Sequence, residues 1–108
     1  MRVSDAQLQK AFEILSDESH AKARSAHEYM DDLTKTVLAK LMAQDDAKSA
    51  VEREQNARAH PTFEAHLKAV KDVAELDYVG RQRIDAAKAV FEAWRTMQAN
   101  DRALEKIR

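Results

Sequence analysis

Cysteine is absent from this chain of 108 residues, and proline and glycine occur once each, at Pro61 and Gly80. Without cysteine there are no disulfides, no thiolate metal ligands and no cysteine nucleophile. Proline and glycine are the usual punctuation of turns, so a chain almost without them is little but helix. A glycine-rich phosphate loop and a strained nucleophile turn are missing for the same reason. No apolar run approaches the roughly 20 residues that a membrane span needs. Met1-Arg2-Val3-Ser4-Asp5 does not read as a signal peptide. The expectation is a soluble, cytoplasmic protein that is not an enzyme and binds no cofactor and no membrane.

What remains is dominated by Ala, Glu, Lys, Gln, Arg and Leu, the strong helix formers. Hydrophobic residues make up 44% of the chain and charged residues 34%, but 20 residues are alanine. Alanine buries little area, so this mixture suits solvated helices with narrow apolar seams. A monomer of this kind lacks the surface for a large core. A homodimer or higher homo-oligomer is therefore expected.

The chain reads as all-α. Ser4 and Asp5 are good N-caps for a short first helix over about 5–15, with Leu8, Phe12 and Leu15 at helical spacing. Ser16-Asp17-Glu18-Ser19 reads as a break and a new cap. The next seam is Ala23, Ala26, Met30, Leu33, Val37 and Leu41, in steps of three and four. Gln44 to Lys48 is polar and interrupts it, and Ser49 is a cap for a further short helix through His60. Proline disfavours the helical conformation at the residue before it and suits the first turn of a helix. His60 is therefore the corner and Pro61 the start of a last helix. Its seam runs through Phe63, Leu67, Val70, Val73, Leu76, Gly80, Ile84, Ala87, Phe91 and Trp94, in irregular phase rather than as a clean heptad zipper.

Residues 17–60 and 61–104 are arms of equal length, each about 65 Å if fully helical. The sequence thus predicts a single domain over 1–108: an elongated antiparallel helical hairpin with a short N-terminal helix, assembling into a helical bundle. The first arm is broken near 44–48. A corner at 60–61 puts Tyr29 opposite position 92, so Phe12, Tyr29, Phe91 and Trp94 are candidates for one packing cluster or interface. Gly80 reads as a close helix contact in preference to a flexible joint.

Net charge is −1 and gives no overall pull toward nucleic acid. Its distribution is uneven. Residues 1–80 hold 11 Lys+Arg and 15 Asp+Glu, and residues 81–108 hold 7 and 4. Arg81, Lys88, Arg95 and Arg102 recur every seven residues and form one slowly drifting row on a helix. Arg83, Lys106 and Arg108 add to it, and Asp85, Glu92, Asp101 and Glu105 dilute it. The row reads first as a solvated face or subunit contact, with a nucleic-acid backbone contact as the alternative. His27-Glu28-Tyr29-Met30-Asp31 shares its opening with the HExxH zinc motif. The second ligand position is Asp31 and no third ligand is signalled, so no metal is expected.

Four stretches carry a resemblance. They are Asp5 to Leu15, Val51-Glu52-Arg53-Glu54-Gln55-Asn56-Ala57, the run from Ala86 to Trp94-Arg95, and Ala99-Asn100-Asp101-Arg102. In these the chain resembles small uncharacterised all-helical proteins of tailed bacteriophages and prophages. The Trp-Arg and Ala-Asn-x-Arg pieces are the distinctive ones. The resemblance implies a genetic neighbourhood of recombination and single-strand-binding functions. The function expected is that of a non-enzymatic accessory protein acting through protein–protein contacts and self-association. The alternatives are a nucleic-acid-binding accessory of phage recombination and an inhibitor of a host defence complex.

Overall fold

The computed structural model describes residues 2–107. Arg108, counted above among the basic residues, and Met1 lie outside them. The described residues form four helices: α1 (Asp5–Ser16), α2 (Ser19–Ala43), α3 (Ala50–Arg58) and α4 (Pro61–Ile107). The fold is all-α, and no strand occurs among the described residues.

Each boundary has a local cause. Ser4 caps α1 by accepting from the Gln7 N–H at 3.1 Å, and the Gln7 side chain accepts from the Ser4 N–H at 2.8 Å. This reciprocal box satisfies two donors that a helix start leaves open. Asp17 ends α1 by donating its N–H to the Ile14 carbonyl. Its carboxylate then accepts from the Ser19 N–H and hydroxyl at 2.9 and 3.0 Å, which starts α2. Between α2 and α3, Asp45 accepts from the Ala47 N–H at 2.8 Å, and Ser49 caps α3 from 3.3 Å. The Arg53 guanidinium donates to the Ala47 and Lys48 carbonyls at 2.9 and 3.2 Å, tying this connection to α3. At the start of α4 the His60 Nδ1 accepts from the Thr62 N–H at 3.0 Å, and the His60 carbonyl accepts from Phe63 and Glu64. Pro61, with no N–H to place, is the first residue of α4.

The chain divides into two compact units, Met1–His20 with Val79–Arg108, and Ala21–Tyr78. In the first unit α1 lies antiparallel to the last part of α4. Arg2 meets Asp101 at 3.4 Å, and Phe12 meets Phe91 with ring centroids 4.6 Å apart. Val3, Ala11 and Ala87 are buried there. In the second unit α2 and the first part of α4 are the two antiparallel arms of a hairpin, and α3 lies in the connection between them. His27 meets Asp77 and Thr34 meets His66 across the arms. Ala57 of α3 and Phe63 of α4 are buried there. Among the described residues, no large side chain falls below 2% exposure. Both interiors are thin, as the alanine content requires.

The break near 44–48 and the short helix after it are present, and two other expectations need correction. Residues 44–60 form the connection between the antiparallel parts of α2 and α4 and do not extend the first arm. The register moves as a result. Tyr29 lies between His27 and Thr34 and so opposite the 66–77 stretch of α4, far from position 92. It is 64% exposed and belongs to the second unit, while Phe91 and Trp94 belong to the first. Finally, Leu67, Leu76 and Ala26 are exposed. Their places on the seam are taken by His66, Asp77 and His27.

Candidate functional site

The basic row lies on the last part of α4. Arg81, Lys88, Arg95 and Arg102 are all exposed. One helix without interruption carries them, so they stand about 10.5 Å apart along its axis. Glu92 accepts from Arg95 at 3.4 Å, with both side chains in water. Such a pair contributes little stability, and it leaves Arg95 able to exchange partners. The row is an electropositive line on a rigid element.

The aromatic candidates separate into two groups. Phe12 and Phe91 pack edge to face, their planes at 87°. This places the positive ring edge on the negative face of its partner. Trp94, one turn further along α4, is half-buried in the same unit. Tyr29 is not brought to them. Two of the four candidates thus meet where α1 covers α4, Trp94 lies half-buried in the same unit, and the fourth is an exposed tyrosine on α2.

A polar seam between α2 and α4 went unread in the sequence. His27 Nδ1 is 2.8 Å from an Asp77 carboxylate oxygen, and Asp77 is 2% exposed. The Tyr78 ring stands edge-on to the His27 ring at 5.6 Å. Two turns further along α2, the Thr34 hydroxyl is 2.9 Å from His66 Nε2. A signal was present: His20, His27, Thr34 and Leu41 recur every seven residues, as do Phe63, Val70, Asp77, Ile84 and Phe91. None of these positions is fully exposed. Periodicity counted on apolar residues alone passes over the histidines and the aspartate.

An imidazole oriented by a buried carboxylate is half of a general-base arrangement. Here the seam also uses it structurally, because the hydrogen bond fixes which residue of α2 faces which residue of α4. His27 takes its partner from α4 and not from Asp31 one turn on. Among the described residues no three His, Asp or Glu side chains converge as a metal site.

Gly80 resolves as a close contact. A Cβ built on it would stand 2.7 Å from the His20 Cδ2 and 3.2 Å from the His20 Cβ. The missing side chain lets the His20 imidazole lie directly on the α4 backbone, and α4 continues as helix through this point.

Two of the shallow grooves on the first unit lie along residues 86–101 of α4. One, of about 160 Å³, runs between Ala11 and Ile14 of α1 and Ala86 and Val90 of α4. The other, of about 390 Å³, lies along Ala93, Met97 and Asn100, with Arg2 at its edge. Among the described residues no helix is long and apolar enough to cross a membrane. Compared with known protein families, with curated proteins and with solved structures, the chain matches none.

Proposed function

We propose that this chain is a non-enzymatic accessory protein of the phage or prophage type, acting through protein–protein contacts and self-association. One observation carries the contact mode. Large apolar side chains are exposed in both units, among them Tyr29, Val51, Leu76, Leu104 and Ile107. The phage-type setting rests on the resemblance in residues 86–95 and 99–102. Sedimentation equilibrium tests the association: the expected result is a mass above that of the monomer at about 100 µM. A monomer mass there removes the self-association.

The basic row supports a second reading, nucleic-acid backbone contact, because all four side chains are exposed on one rigid helix. Fluorescence anisotropy with single- and double-stranded oligonucleotides separates the two. Four duplex phosphate contacts predict roughly a 150-fold loss of affinity between about 50 and 200 mM salt. Absence of binding at the lower salt removes this reading.

A further inference from the structure

The last part of α4 has two sides that the fold uses differently. With Arg83, Val90, Met97 and Leu104 taken as a positions of a heptad, Val79, Ala86, Ala93, Asn100 and Ile107 fall at d. Position g holds Gln82, Ala89, Thr96 and Ala103. From Ile84 to Ile107 the a, d and g positions number ten and carry no charge, while eight of the other fourteen positions are charged. The basic row Arg81, Lys88, Arg95 and Arg102 occupies f, the side opposite the seam. The closest contacts with α1 lie on the flank of this face: Ala87, at e, is buried, and Phe91, at b, packs on Phe12, while α1 reaches only the edge of the a/d face, where Ala11 and Ile14 border the groove at Ala86 and Val90. The a/d face is left with the two grooves described above. It ends in Leu104 and Ile107, which are 56% and 82% exposed.

We infer that this face is the self-association surface, and that its occupant is the same face of a second copy running antiparallel. The inference rests on the proposed self-association and says where it occurs. Its argument is self-complementarity. In an antiparallel pair, a residues of one helix pack against d residues of the other. One register places Leu104 on Val79, Met97 on Ala86 and Val90 on Ala93, the larger side chain against the smaller in each pair, twice over by symmetry. The same register sets Arg83 beside Asn100, the two polar members of the seam. A parallel pair instead stacks Arg83 on Arg83 and leaves alanine opposite alanine, which costs repulsion and voids. The uncharged g positions bring no like charges together on that flank. The alanines allow an approach near the short end of the 8–10 Å range for packed helices.

The chain has no cysteine, so single-cysteine variants of the full chain report pair geometry directly. Ala86→Cys and Met97→Cys, mixed and mildly oxidised, are expected to form a mixed disulfide dimer in preference to either homodimer. Lys88→Cys, at f, is expected to give none. Ala86→Glu places a carboxylate against Met97 and is expected to weaken the dimer at least about tenfold in sedimentation. Its far-UV circular dichroism should be unchanged, because Ala86 is exposed within one chain. A dimer that shows no mixed disulfide, or that survives Ala86→Glu at parent affinity, overturns this seam and leaves self-association standing. A monomer mass at about 100 µM overturns both.

Discussion

Asp77 shows how much one side chain decides in a thin interior. It is the buried polar residue of the described chain, at 2% exposure, with His27 Nδ1 2.8 Å away. Removing one member of a buried pair leaves the other without compensation, whereas replacing both with apolar groups is often nearly neutral. Asp77→Ala is therefore expected to cost about 1–3 kcal/mol in urea unfolding. His27→Leu with Asp77→Leu should stay within about 1 kcal/mol of the parent. A single variant as stable as the parent would show that the pair holds nothing. Gly80 makes the opposite kind of contact, defined by what is missing. Alanine there gains about 1 kcal/mol of helix propensity, but its Cβ must displace the His20 ring. The expected net loss is about 1 kcal/mol, measured by thermal unfolding. In a His20→Ala background the same substitution should become stabilising, and equal effects in both backgrounds would remove the contact from the account. Gly80 was legible in the sequence, since a lone glycine in an apolar stripe suggests close approach. Asp77 was not, because a seam read by apolar spacing assigns Leu76 inward and Asp77 outward. A carboxylate turns inward only when a partner such as His27 arrives from a distant part of the chain.

At the scale of elements, the helix ends were written locally and the register was not. Ser4, the Ser16–Ser19 break, Ser49 and Pro61 each act through neighbours within a turn, so their spacing alone locates the boundaries. The pairing of α2 with α4 depends on how residues 44–60 are spent, and local signals do not say that α3 belongs to the connection. Only Ala57 among the nine residues of α3 is buried. Such an element opens more readily than its neighbours. Amide exchange over residues 50–58 is expected to be faster than in the interior of α2 or α4. Ser49→Ala, which removes the cap, should cost about 1 kcal/mol and accelerate exchange in α3 while leaving α4 unchanged. Protection in α3 equal to that in the middle of α4 would contradict this.

For the whole molecule the governing fact is surface. A chain whose buried apolar residues are mainly alanine has a small core, and under the proposed self-association mass action would enter its stability. If the associated form is the folded form, raising the protein concentration about a hundredfold should raise Tm by about 5 °C. A Tm independent of concentration would mean that each chain is stable alone. Optical spectroscopy reads the chain unevenly, by an accident of composition. The single tryptophan, Trp94, belongs to one compact unit, and both tyrosines, Tyr29 and Tyr78, belong to the other. Tryptophan emission and tyrosine absorbance are thus separate gauges on one polypeptide. Their melting curves will superimpose if the two units cooperate and part company if they do not, with no label attached to either.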